Sequence, residues 1–62
     1  MAGRREQIVE AALELVSEEG TPGLTMMNIA ERIGTSDAAL YRHFRSKQEI
    51  MEAMIRRFGG DL

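Results

Sequence analysis

The sequence predicts an all-α domain, and three observations carry that expectation. Apolar residues recur at spacings of three and four, no segment shows a strand pattern, and glycine, proline and capping residues fall between the periodic stretches. Four helices are expected, without internal repeat or low-complexity tract.

The first helix begins near Arg4. Ile8, Ala12, Leu15 and Val16 form its apolar stripe, Val9 and Leu13 broaden it, and Glu6, Glu10, Glu14 and Glu18 take the polar side. That describes an amphipathic helix of about four turns. Gly20 is placed to end it in the left-handed conformation, and Thr21-Pro22-Gly23 supplies turn chemistry, so a loop is expected over roughly Gly20 to Leu24. Thr25 reads as the N-cap of a second helix in which Met26, Ile29, Ala30 and Ile33 share one face, and Gly34 closes it. Ser36 caps a third helix, over about 37–44, with Leu40 and Phe44 one turn apart as its anchors to the core. Ser46-Lys47-Gln48-Glu49 has the capping-box pattern and opens a fourth helix, whose stripe of Ile50, Met51, Met54, Ile55 and Phe58 runs to a break at Gly59-Gly60.

Composition narrows the chemistry. Sixty-two residues make one small domain, and such domains bury only about 60% of the surface their unfolded chains expose, so the fold must be simple and locally connected. Without cysteine there is no disulfide framework and no thiolate zinc site, and the single histidine has no nucleophile or orienting carboxylate in evident reach. No cofactor, metal or enzymatic activity is expected. No apolar run approaches the ~20 residues of a membrane helix, and MAGRREQ lacks the apolar stretch of a signal peptide. A soluble cytoplasmic protein without membrane association is the expectation.

The net charge of −2 conceals an uneven distribution. Residues 1–24 carry two bases against five acids, whereas residues 25–47 carry four bases (Arg32, Arg42, Arg45, Lys47) against two acids (Glu31, Asp37). The basic excess falls on TMMNIAERIGTSDAALYRHFRSK, which has the layout of a helix-turn-helix, with the small Ala30 four residues before Gly34.

If Leu40 and Phe44 face inward, Ala38 and Arg42 point away from the core, flanked by Ala39, Tyr41 and Arg45. Small residues let a helix approach base edges, alanine can touch a thymine methyl, and arginine can make the bidentate contact to guanine. Tyr41 can reach a phosphate through its hydroxyl, and His43 at the rim can donate to one. Thr25 and Lys47 stand at helix N-termini, where backbone N–H groups favour an anion. Arg4 and Arg5 read either as a basic arm touching DNA or as solvated charges at a frayed terminus.

These residues resemble the N-terminal DNA-binding domain of the tetracycline-repressor (TetR) family of bacterial transcription regulators. The likeness runs from the Ile8-to-Gly20 helix through Thr25, Ile29-Ala30 and Gly34 to Leu40-Tyr41-Arg42-His43-Phe44 and Ser46-Lys47. It implies a homeodomain-like helix-turn-helix domain over 1–46, with its motif at about 25–44. It also implies that 47–62 starts a helix connecting to a C-terminal ligand-binding and dimerisation domain absent from this sequence. By the same resemblance the intact protein is a homodimeric repressor that binds a palindromic double-stranded DNA operator through helix 3 and releases it when a small-molecule effector binds. Thr25, Tyr41 and Lys47 match the family's phosphate-contacting positions, and Met27, Ser36, Asp37, Ala38, Ala39, Arg42 and His43 match positions that touch bases or backbone. The chain departs from the family pattern at Asp37, at Ala38-Ala39, and at Arg45, which stands where proline is often found and adds a phosphate-contact candidate. A second reading is a small helical protein-interaction module that docks a partner helix on the Met51, Met54, Ile55 and Phe58 stripe.

Overall fold

A computed structural model describes residues 3–59. They form α1 (Arg4–Glu19), α2 (Met26–Ile33), α3 (Asp37–His43) and α4 (Lys47–Gly59), with one 3-10 turn at Thr21–Gly23. The all-α expectation holds, and no strand occurs among the described residues. The anticipated break at Gly59-Gly60 fares differently at its two positions: α4 continues through Gly59, and Gly60 lies outside the described residues.

α1 is the hub, packing against α2 and α4, while α3 rests chiefly on α2. Ile8, Val9, Ala11, Ala12 and Leu15 of α1 meet Leu24, Ile29, Ala30, Leu40, Phe44 and Ile50 in one continuous core. Each large apolar side chain fully withdrawn from water contributes about 1.5–3 kcal/mol, so the six largest (Phe44, Ile8, Leu24, Ile29, Leu40 and Ile50) dominate the folding energy. Those six come from all four helices, the loop before α2 and the bend after α3.

The connections are set by local chemistry. Gly20 has positive φ as expected, but with φ 76° and ψ −179° it lies outside the left-handed helical region, in a region essentially restricted to glycine. The chain therefore leaves α1 extended and enters the 3-10 turn, where the Gly23 N–H donates to the Gly20 carbonyl at 3.1 Å. A Cβ at Gly23 would fall 2.7 Å from the Glu19 Cβ, so the turn folds back on α1 only because that position is bare. Gly34, at φ 76° and ψ 37°, ends α2 in the left-handed conformation. Its N–H reaches the Glu31 carbonyl at 3.3 Å and the next N–H, of Thr35, reaches Ala30 at 2.9 Å, the paired bonds of a Schellman ending.

The Thr25 hydroxyl accepts from the Asn28 N–H at 3.0 Å, and the Asn28 amide in turn donates to the Gly23 carbonyl at 2.9 Å. Thr25→Ala removes the cap and is expected to cost about 1 kcal/mol. In a thermal melt followed by circular dichroism this appears as a Tm lowered by about 4–8 °C. An unchanged Tm would mean that water replaces the cap at no cost.

The four polar-side glutamates of α1 divide into two clasps. Glu14 and Glu18 hold Arg32 of α2, at 3.1 and 3.0 Å, and Glu6 and Glu10 hold Arg57 of α4, at 3.2 and 3.3 Å. Spacing of four places each pair on one face, one turn apart, where a single guanidinium spans both. The hydrogen bond from Arg32 holds the Glu18 carboxyl below the ordinary carboxylate range, and the same pairing raises the Arg32 guanidinium. A carboxyl with a depressed folded-state pKa stabilises the fold above its unfolded pKa, and that contribution is lost as pH falls through the folded value. In NMR titration Glu18 is therefore expected to protonate below the ordinary glutamate range, and Arg32→Gln should return it there. An ordinary Glu18 titration in the unaltered chain would refute the clasp.

Candidate nucleic-acid interface

α3 is a seven-residue helix whose Ser36 cap accepts from the Ala39 N–H at 3.3 Å. Leu40 and Phe44 are each 1% exposed, as their spacing predicts. Phe44 itself lies beyond the helix: it is extended at φ −136° and ψ 127°, and α3 ends at His43 rather than at 44. The ring is nonetheless part of the core.

That early ending moves Arg45. Continued helical rotation would place it beside Arg42 on the outward face, but the structure puts it in the bend between α3 and α4. Its backbone N–H donates to the Glu49 carboxylate at 2.9 Å. The Glu49 N–H in turn faces the Ser46 hydroxyl at 3.4 Å, so the capping box is present with its return bond shifted one residue upstream. The α3–α4 corner is thereby fixed, with Arg45 exposed on it and Lys47 exposed at the first position of α4.

On α3, Ala38, Tyr41 and Arg42 are exposed, with Tyr41 half accessible. Ala39 is half-buried, which leaves Ala38 as the open small residue ahead of Arg42. Ser36 and Asp37 are exposed at the start of α3, where Ser36 supplies the cap and the carboxylate of Asp37 stands in the first turn, the end that favours negative charge. His43 is exposed in the last turn, where a cation is favoured. Thr25 is exposed at the start of α2 with its hydroxyl hydrogen left to donate, and Met27 is 65% exposed.

The basic excess read along the sequence shrinks by one in three dimensions. Arg32 is held by Glu14 and Glu18, so Arg42, Arg45 and Lys47 are the cations that α3 and the corner after it carry. Among the described residues, no three histidine, aspartate or glutamate side chains gather as metal ligands, and no helix is long and apolar enough to cross a membrane.

Arg4 and Arg5 both lie in the first turn of α1 rather than in an arm, and Arg4 is exposed there as the solvated reading expects. The Arg5 guanidinium lies 4.3 Å from the centroid of the Phe44 ring and donates to the His43 carbonyl at 3.2 Å. Arg5 and Asn28 make side-chain contacts that the linear reading missed. Asn28 is local, and its spacing from Gly23 and Thr25 offers a signal; Arg5 is separated from His43 by 38 positions and offers none.

The stripe on α4 is divided. Ile50 is fully buried and Met54 partly so, whereas Ile55 and Phe58 are 68% and 80% exposed. Met51, Met54, Ile55 and Phe58, with Val16, Thr21 and Leu24, line a shallow apolar groove of about 170 Å³.

The chain matches the family model of bacterial regulatory proteins, tetR family, over residues 8–54. It is 41% identical over 51 residues to the class C tetracycline repressor protein of Escherichia coli, covering 82% of this chain and 23% of that protein. Identity to the class A tetracycline repressor protein from transposon 1721 of Escherichia coli is 45% over 47 residues, or 76% of this chain and 22% of the relative. The nucleoid occlusion factor SlmA of Vibrio cholerae is 45% identical over 53 residues, covering 84% and 27%. The chain thus spans about a quarter of the length of these relatives. No solved structure matches it.

Proposed function

Because this chain belongs to the tetR family of bacterial regulatory proteins, we propose that it is the sequence-specific double-stranded DNA-binding module of a transcriptional regulator, with α3 as the reading helix. The observation that carries this is the division of α3 into a face anchored by Leu40 and an exposed face of Ala38, Tyr41 and Arg42 beside the basic Arg45 and Lys47 corner. Arg42 reads guanine, Ala38 admits close approach with Ala39 at its edge, and Met27, Ser36, Asp37 and His43 border the groove. Thr25, Tyr41, Lys47 and Arg45 hold phosphates and set the register.

In the longer protein, α4 leads into a C-terminal domain that binds a small-molecule effector and joins two copies. The pair binds a palindromic operator, with half-sites about 34 Å apart, as a ligand-released repressor. The tetracycline repressors among the relatives support that regulatory part of the reading. Neither catalysis nor a cofactor belongs to this reading.

The test is selection from a random duplex library with the chain fused to a dimerising coiled coil. A recovered palindrome is the expected result. No motif at low salt, from a fusion shown to be folded and dimeric, would overturn it. The apolar groove favours the second reading, a helix-docking module, over any other alternative. That reading requires an association insensitive to salt, abolished by Met54→Asp and spared by Arg42→Ala.

A further inference from the structure

We propose that Arg5 is a positioning residue for DNA recognition, a clamp from α1 that sets the exit of the reading helix without itself touching DNA. The inference rests on α3 being that helix. Arg5 is in the first turn of α1, where its positive charge opposes the helix dipole and Gly3 supplies no side-chain cap. Its local placement is thus unfavourable, and its tertiary partners account for it. The guanidinium covers the face of the Phe44 ring and its Nη1 donates to the His43 carbonyl, one of the last carbonyls of α3 and without a partner within the helix. One planar side chain therefore grips two adjacent residues where the backbone passes from helical to extended. α3 is only seven residues long and rests chiefly on α2, so a hold at its far end governs the angle at which Ala38 and Arg42 are presented. The same grip places Arg45, the next residue after Phe44, and with it the basic corner.

Positioning and phosphate contact give different salt behaviour, because each lost phosphate contact lowers the slope of log affinity against log salt by about one unit. The experiment measures fluorescence anisotropy of the 62-residue chain on two labelled duplexes, the site recovered by selection and a scrambled duplex of equal composition. Conditions are those in which every variant is fully folded by circular dichroism. Arg5→Gln is expected to weaken binding to the selected duplex about tenfold, a change of the size a lost cation–π contact produces, with the salt slope unchanged. Arg5→Lys, which keeps a cation over the ring but lacks the planar fork, should recover part of that loss. Backbone amide shifts of His43 and Phe44 should move in Arg5→Gln, while those of α2 stay in place.

A slope lower by one unit in Arg5→Gln overturns the proposal in favour of direct phosphate contact. Unchanged affinity in Arg5→Gln, with binding still lost in Arg42→Ala, overturns the clamp alone and leaves α3 as the reader. Failure of the unaltered chain to prefer the selected duplex over the scrambled one overturns both.

Discussion

Phe44→Ala is expected to leave the chain unfolded at 25 °C. The ring is one of the largest buried side chains, and it ties the end of α3 to a core drawn from all four helices. Removing a buried aromatic ring costs about 3–5 kcal/mol, from lost transfer energy and from the cavity left behind. The net stability of a chain this short is about 3–5 kcal/mol, so the loss equals the whole margin. The ring also carries the Arg5 contact, which goes with it. Phe44→Leu keeps the apolar anchor and loses the aromatic face, so it should remain folded with a lowered Tm. A cooperative melt of Phe44→Ala near the unaltered Tm would mean that the core collapses around the vacancy and that Phe44 does not anchor α3.

The second large effect concerns specificity. Arg42→Ala in the dimerised chain is expected to remove about 1–3 kcal/mol of discrimination at the guanine it reads, with the other positions of the site unaffected. Lys47→Ala should weaken selected and scrambled duplexes alike and flatten the salt slope by about one unit. Both side chains are exposed and neither contributes to the core, so both variants should melt as the unaltered chain does. Titrations of the two duplexes across a salt series separate the effects. If both variants lose affinity in the same proportion on both duplexes, the assignment of Arg42 to reading and Lys47 to positioning is wrong.

The helices were legible in the sequence because their determinants are local. Apolar spacing, the Thr25 and Ser36 caps and the Gly34 ending act within a turn or two of chain, and each appears in the structure at its expected position. Boundaries proved less legible where a tertiary contact competes with helix propagation. Phe44 would extend α3 on spacing alone, but its backbone is extended where the chain turns toward α4, and the helix stops one residue early. Arg45 then moves from the helical face to the corner. The loop after α1 shows the same principle at Gly20, where positive φ was readable and the extended ψ was not.

The electrostatic assignments depended on long-range pairing still more. Counting charges along the chain credited Arg32 to the basic segment, and only the packing of α1 on α2 discloses that Glu14 and Glu18 hold it. Arg5 gives no sign of a partner in the sequence, and only the fold brings it against the end of α3.

By itself the sequence determined the fold class, the four helices, the anchoring residues and the family, because periodicity, capping and turn chemistry act between near neighbours. Only the tertiary structure decided which cations are already paired, where α3 ends, that Arg45 belongs to a corner and that Arg5 meets His43 and Phe44. Those outcomes depend on contacts between residues far apart in the chain, whose meeting is set by how helices pack and leaves no periodic trace in the sequence.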